Sequence, residues 1–348
     1  MHLASVRLVG LGPLDDLTLS FADEGSPPRP LTVIFGGGGV GKTSLLGAIA
    51  TTRPGYATAQ QRHRPSRPAH VVATWHLGQD APRPHPLRVA SPNAQLDEPE
   101  EVSLHHRREQ AAYDKRAAEG GFVLLMFSSA RWFSRSPLLL NAPERTVARY
   151  DVRAPPNLDD ATRGDLARET KQALVYASVA SALVRQAPDH PQRQRLLDLD
   201  ATMRRAVSAL TGLGHHPFLG ADPVTFEPMF GSPSGDPVPF DELPTSLRHL
   251  ASFAALTVRA LFAAYPEVSP ALAEGVVLID EVDLHQEPAT ARLLVPALRQ
   301  VLPRVQWVLS TSSTAIAATC DPGELIALRR TPPSQRVEIY EGPLATVH

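Results

Sequence analysis

The sequence has a single cysteine, Cys320, among 348 residues. That excludes an intramolecular disulfide and fits a reducing compartment. No apolar run approaches the roughly 18 residues that a membrane helix needs. The longest stretch, Phe253 to Ala264, is interrupted by Arg259. The opening MHLASVRLVG has neither the basic start nor the apolar centre of a secretory signal, so a cytoplasmic location and no membrane partner are expected. An excess of one charge is also missing. The balance of 34 Lys and Arg against 36 Asp and Glu leaves a net charge of −2, which gives no general pull toward nucleic acid. The 13 histidines show no ligand spacing. His63, His70, His76 and His85 read as scattered surface residues rather than metal ligands, and His215-His216 sits in a turn beside Gly214 and Pro217. There is no G-x-S-x-G and no cysteine placed as a nucleophile.

What the sequence does contain is concentrated in two places. The first is FGGGGVGKTSLL, Phe35 to Leu46, in which Gly36, Gly41, Lys42 and Thr43 complete the pattern G-x-x-x-x-G-K-[ST]. Backbone N–H groups of Gly36, Gly37, Gly38, Gly39, Val40 and Gly41 would turn around phosphate oxygens. Lys42 would reach the β- and γ-phosphates, Thr43 would bind Mg²⁺, and Ser44 would open the following helix. Leu31 to Phe35 reads as a buried strand and Ser44 to Ala50 as a helix whose N-terminus faces the phosphates. The competing reading is a glycine-rich turn without a ligand. The second place is VVLIDE, Val276 to Glu281. Four apolar residues put Asp280 at the carboxyl end of a buried strand, where ligands sit in parallel sheets. Asp280 would hold Mg²⁺ through water and Glu281 would polarise an attacking water; two solvated acids at a strand end are the bland alternative.

Between and around these runs the periodicity sketches an α/β chain. Residues 3–9 and 17–21 read as strands, the latter from the alternation of Leu17, Leu19 and Phe21 with Thr18 and Ser20. Further strands are expected at Val71 to Leu77, Phe122 to Phe127, Val276 to Ile279 and Val305 to Ser310, with a closing hairpin at Leu325 to Leu328 and Val337 to Tyr340. Residues 53–68 read as a mobile basic loop, 79–100 as irregular, and 101–119 as a charged helix with His105 to Arg108 on a solvated face. Arg131 follows directly on a strand. Leu166, Ala173, Leu174, Ala177 and Val184 share one helix face, and Leu196, Leu199, Met203, Val207 and Leu210 another. The pair is too short for a coiled-coil arm. A hairpin is expected from 224–230 to 237–240, then a buried helix from Leu247 to Ala264, and a helix opened by Pro288 with Pro296 inside it.

From Lys42 to Asp280 is 280 − 42 = 238 residues. That is longer than AAA+ and RecA-like ATPases normally leave, and there is no guanine-reading N-K-x-D. The late acidic strand resembles the ABC-type ATPase heads of the SMC, RecF and OLD-like group. Phe127 to Arg131 is similar to that group's strand-then-arginine segment. Asp280 to Pro288 resembles its D-E-P-E-L-H-L-H-P, and Leu302-Pro303 with Gln306 to Ser313 resembles F-P…Q-F-I-V-T-T-H-S. The resemblance is strong at 31–46 and 276–313 and weak between 53 and 215. It implies a P-loop fold with a mixed sheet, a β-rich N-terminal lobe and an inserted helical subdomain. The expected segments are 1–135 and 216–348 for the head and 136–215 for the helices. It also implies ATP held with Mg²⁺ between two heads, each nucleotide between one head's phosphate loop and the other's signature motif.

The chain departs from that pattern at specific points. The signature position reads Leu243-Pro244-Thr245-Ser246-Leu247, without the family's glycine. Thr245 and Ser246 either donate to a phosphate across a dimer or form a helix N-cap. Ser312 stands where the family has a histidine that contacts the γ-phosphate, and Gly38 where many members have asparagine. The Mg²⁺-associated glutamine has no clear counterpart. Slow or partner-dependent hydrolysis is expected, or, as a rival, a scaffold or sensor gated by ATP without hydrolysis. Only 348 − 312 = 36 residues follow Ser312, too few for a nuclease domain, so a separate effector chain is expected. DNA repair, chromosome handling and antiphage defence are the group's settings. DNA contact through Arg53, Arg62, Arg64 and Arg67 is a further alternative.

Overall fold

The computed structural model describes residues 1–22, 27–53, 56–57, 69–76, 86–92, 94, 96–119, 123–138, 140, 142, 164–332 and 336–346. Along the chain run β1 (His2–Leu11), β2 (Leu14–Ser20), β3 (Leu31–Phe35), α1 (Lys42–Ala50), β4 (Thr52–Arg53), β5 (Tyr56–Ala57), β6 (His70–His76), β7 (Leu87–Ala90), α2 (Glu100–Glu119) and β8 (Leu124–Phe127). Two long helices follow, α3 (Ala167–Arg185) and α4 (Arg193–Thr211), then the short strands β9 (Phe218–Ala221), β10 (Pro228–Phe230) and β11 (Val238–Pro239). The chain closes with α5 (Thr245–Ala264), β12 (Gly275–Ile279), α6 (Pro288–Val301), β13 (Val305–Thr311), α7 (Thr314–Ala317), β14 (Leu325–Thr331), β15 (Arg336–Glu341) and α8 (Pro343–Thr346).

The central sheet has six strands in the order β15-β14-β3-β13-β12-β8, all parallel except the antiparallel edge strand β15. Alternation along these strands explains why both faces are covered. Leu31, Val33, Phe35, Val277, Ile279, Trp307 and Leu309 face one core, built with α3 to α6. Ile34, Leu124, Met126, Val276, Leu278, Val308, Ile326 and Leu328 face a second core. That second core is closed by α1 and by the antiparallel sheet β2-β1-β6-β7. The molecule is therefore a three-layer α/β structure with a mixed sheet and a β-rich N-terminal layer, as the fold class expected from sequence has it.

Several local expectations change. Residues 79–100 are not wholly irregular: Leu87 and Val89 are buried on strand β7, which pairs antiparallel with β6. Four residues among prolines are too few to show a period. Arg53 does not belong to an open loop, because it lies on β4 and is fully buried. The side chains of Arg62, Arg64 and Arg67 fall outside the described residues, as do His63 and His85. His70 is buried on β6 rather than at the surface. The run 224–227 forms the turn of a hairpin between β9 and β10, with β11 added on the far side of β10. Among the described residues α5 is long and apolar enough to cross a membrane, but 83% of its apolar window is buried inside the fold. Its Arg259 is buried and pairs with Glu169 at 2.7 Å.

His249 on α5 is fully buried between Phe133, Phe253 and His285, with ring centroids 5.0, 6.3 and 5.4 Å away. Burial, reinforced by the nearby charges of Arg131 and His285, pulls its pKa down to about 3. The Leu284 backbone pushes the other way without reaching hydrogen-bonding geometry. The unfolded chain therefore takes up a proton near pH 6.5 that the folded chain refuses until about pH 3. The contribution is intact above pH 6.5 and falls as the pH drops through that window, by up to about 1.4 kcal/mol per pH unit. His249→Phe is expected to flatten this loss in thermal melts from pH 7 to 4. Parallel curves for the two proteins would show that the group does not titrate this way.

Candidate functional site

Because β3, β13 and β12 run parallel and side by side, their carboxyl ends come together on one edge of the sheet. The phosphate-loop sequence leaves β3 and ends where α1 begins. Gly41 precedes α1 with φ +97°, a backbone angle that L side chains resist, and an added Cβ would meet Pro13 and Leu14. At Gly36 a Cβ would lie 2.6 Å from the Leu328 carbonyl oxygen, so the loop is pressed against β14. Gly37, Gly38 and Gly39 are exposed at the tip, and Val40 is buried beneath it. Lys42 is buried, and its Nζ donates to the carbonyls of Gly36 at 2.7 Å and Gly37 at 2.9 Å. Burial pulls the lysine pKa down, and the charges of Asp280, Glu281 and Asp283 oppose that shift. From the neighbouring strand, Arg330 donates to the Gly39 carbonyl at 2.7 Å.

Asp280 follows directly on β12 and is fully buried. One carboxylate oxygen accepts from Thr43 Oγ1 at 2.8 Å and the other from Ser310 Oγ at 2.5 Å. Ser310 lies on β13, the strand between β3 and β12, and its hydroxyl also accepts the Glu281 backbone N–H at 2.9 Å. One hydroxyl therefore locks both acids to the strand that separates them from the phosphate loop. Next to it, Thr311 donates to Asp283 at 2.6 Å. Glu281 is exposed and has φ +45°, uncommon for a residue with a Cβ. Ser44 is half-buried in the first turn of α1.

The structure brings Gly36 to Ser44, Asp280, Glu281 and Ser312 to one edge. Ser312 follows Thr311, whose carbonyl accepts the Gly36 N–H at 3.2 Å, and it is exposed. Thr245 and Ser246 join through another route. Ser246 offers its carbonyl to Gln286 Nε2 at 3.1 Å, and Gln286 lies in the segment after Glu281. The N-cap reading of these two residues is overturned. Helix α5 starts at Thr245 with Pro244 as its N-cap, no side chain makes a cap bond, and Thr245 Oγ1 instead accepts from Arg248. Sequence reasoning assigned no role to Ser310 or Arg131. Ser310 left only two traces in the sequence, its place in the Gln306 to Ser313 resemblance and a hydroxyl near the end of a mostly apolar strand.

No family model matches the chain. An Smc head bound to the C-winged helix domain of ScpA aligns with 98% of this chain and 98% of its own, with TM-score 0.55 at 14% identity. This chain has the fold of an ABC-type ATPase head. A second such head, the SMC head domain from Thermotoga maritima, aligns over 98% of this chain and 99% of its own, with TM-score 0.50 at 13% identity. A third, from Pyrococcus furiosus, carries an extended coiled coil and is bound to the C-terminal domain of ScpA. It covers 98% of this chain and 96% of its own, with TM-score 0.53 at 15% identity. Among curated proteins, the Retron Ec83 probable ATPase of Escherichia coli is 32% identical over 62 residues. That match takes in 18% of this chain and 11% of the relative. At these identities the likeness establishes the head fold.

Proposed function

We propose that this head binds ATP with Mg²⁺ and hydrolyses its β–γ phosphoanhydride bond, releasing ADP and phosphate. One observation carries the reading: Thr43 and Asp280, 237 positions apart in sequence, stand 2.8 Å apart at the strand ends beside the phosphate loop. A hydroxyl and a carboxylate are hard oxygen donors of the kind Mg²⁺ takes, with phosphate oxygens and water completing its shell. Bound Mg²⁺ would neutralise charge on the phosphates. Gly37 to Gly41 would present backbone N–H groups to them while the Gly36 N–H is engaged by Thr311, Lys42 adds a positive charge, and Glu281, exposed at the edge, would accept a proton from the attacking water. Positioning and charge supply most of the rate in such transfers. Thr245, Ser246 and Ser312 act across a pair of heads, each facing the nucleotide held by the other. The segments 1–135 and 216–348 form the head and 136–215 its helical part. The chain works in the cytoplasm as the ATPase component for a separate effector, as the solved Smc heads bound to ScpA domains suggest.

The altered segment 243–247 and Ser312 favour a second reading, a nucleotide-gated scaffold that does not turn over. Phosphate release by purified wild type and Lys42→Ala, with nucleotide binding measured in parallel, separates them. Release above the Lys42→Ala background supports the ATPase. Equal release, with ATP bound by wild type only, leaves the scaffold. ATP binding that survives Lys42→Ala unchanged would remove the phosphate loop from either reading.

A further inference from the structure

Behind the two acids lies a charged group that the proposed chemistry does not use. Arg131, four residues beyond the end of β8, is 5% exposed. Its guanidinium donates to three backbone carbonyls: Nη1 to Ser128 at 2.9 Å and to Asp280 at 2.6 Å, and Nη2 to Glu281 at 2.6 Å. It also lies over the Phe253 ring on α5, 5.2 Å from the centroid. Burial lowers its pKa to about 10, which leaves it charged at neutral pH. A buried cation spent on main-chain oxygens is unusual, because such groups more often pair with a carboxylate. The two carbonyls it holds most closely are successive and flank the residue at φ +45°. A strained conformation persists only where its surroundings over-determine it. Here Ser310 grips the Glu281 N–H and Arg131 grips the carbonyls on either side.

We infer that Arg131 is a positioning residue that fixes the backbone of Glu281, and through Phe253 ties that position to α5, the helix that begins at Thr245. The planar fork of a guanidinium aims separate N–H groups at two successive carbonyls. An ammonium on a flexible stem is a point charge and cannot hold both in one plane. Arg131→Lys thus keeps the charge and loses the fork. The residues proposed to hold nucleotide, Gly36 to Thr43, reach Asp280 through its carboxylate, whereas Arg131 reaches its main-chain carbonyl, so binding is expected to stay intact.

This inference rests on the hydrolytic reading, and the test separates the two. Wild type, Lys42→Ala, Arg131→Lys and Arg131→Ala are compared for kcat, KM, affinity for a fluorescent ATP analogue, and thermal midpoint. Displacing a reacting group by about 1 Å costs on the order of 100-fold in rate. Both Arg131 variants are expected to lose about that much kcat while the analogue affinity stays within about threefold. Millimolar guanidinium should restore part of the kcat of Arg131→Ala, which a general loosening of the fold would not show. Folded variants with kcat within twofold of wild type would overturn the inference and leave hydrolysis standing. So would loss of folding in both variants, which would make Arg131 a structural residue. Wild type no faster than Lys42→Ala would overturn the hydrolytic reading itself.

Discussion

Glu281→Gln is expected to lower ATP turnover by about 10²- to 10⁴-fold, the range a positioned general base supplies. The change removes the proton-accepting oxygen and little else. Glu281 is exposed, and the bonds that hold its strained backbone run through its N–H and its carbonyl, which an amide side chain does not disturb. Binding of ATP should therefore match wild type. If two heads close on the nucleotide, the closed pair should also live longer, because the step that opens it is blocked. Phosphate release read beside analogue affinity and particle mass would show all three effects. Turnover equal to wild type would take Glu281 out of the chemistry and shift attention to Asp283, two residues further on and held by Thr311.

The parts of this chain that were legible from sequence share a physical reason. A strand buried on both faces is apolar at most of its positions, so LTVIF, VVLI and the run ending at Phe127 announce themselves. The helices at 167–185 and 193–211 show because one face of each enters the core. The phosphate-loop segment shows because its glycines answer to backbone geometry, as at Gly36, where Leu328 leaves no room for a Cβ. What stayed hidden depends on partners remote in sequence. Arg53 and His70 read as solvent residues because nothing near them reveals the layers that close over them. Ser310 meets Asp280 across 30 positions and Arg131 meets it across 149, so the frame that holds the acids is a product of tertiary structure alone. The N-cap alternative at Thr245 fails for a local reason. Pro244 takes the cap position, and Thr245 is engaged by Arg248 one turn into the helix.

The arrangement around Ser310 also orders the departures from the family pattern. The acids, the phosphate loop and the bridging hydroxyl form one connected set of hydrogen bonds within a single chain. Ser312, Thr245 and Ser246 lie outside that set. The groups that would prepare the metal and the water are thus internally supported; of the residues that differ, Thr245, Ser246 and Ser312 are those expected to meet a second head, and Gly38 lies at the exposed tip of the loop. If heads pair around nucleotide as proposed, the isolated chain is expected to turn over slowly and to speed up on pairing.

Asp280→Asn is expected to abolish the dependence of nucleotide binding on Mg²⁺. Asp280 is fully buried, and both of its oxygens accept hydroxyls, Ser310 on one side and Thr43 on the other. The amide keeps the volume, one hydroxyl can still donate to its oxygen, and the other can rotate to accept from its N–H, so the fold is retained. What is lost is the negative charge placed directly against the Thr43 hydroxyl, where it would draw a divalent cation. In wild type, adding Mg²⁺ should tighten binding of a slowly hydrolysed ATP analogue, and chelation should weaken it. In the variant the two titrations should coincide, and hydrolysis should fall by at least about 10³-fold, since both metal-assisted charge stabilisation and placement of the γ-phosphate are removed. Asp280→Ala separates charge from packing. It leaves the Ser310 and Thr43 hydroxyls without their acceptor, at a cost of about 1–3 kcal/mol, and should melt earlier than Asp280→Asn. Mg²⁺ strengthening binding equally in wild type and Asp280→Asn would mean that the metal is held elsewhere.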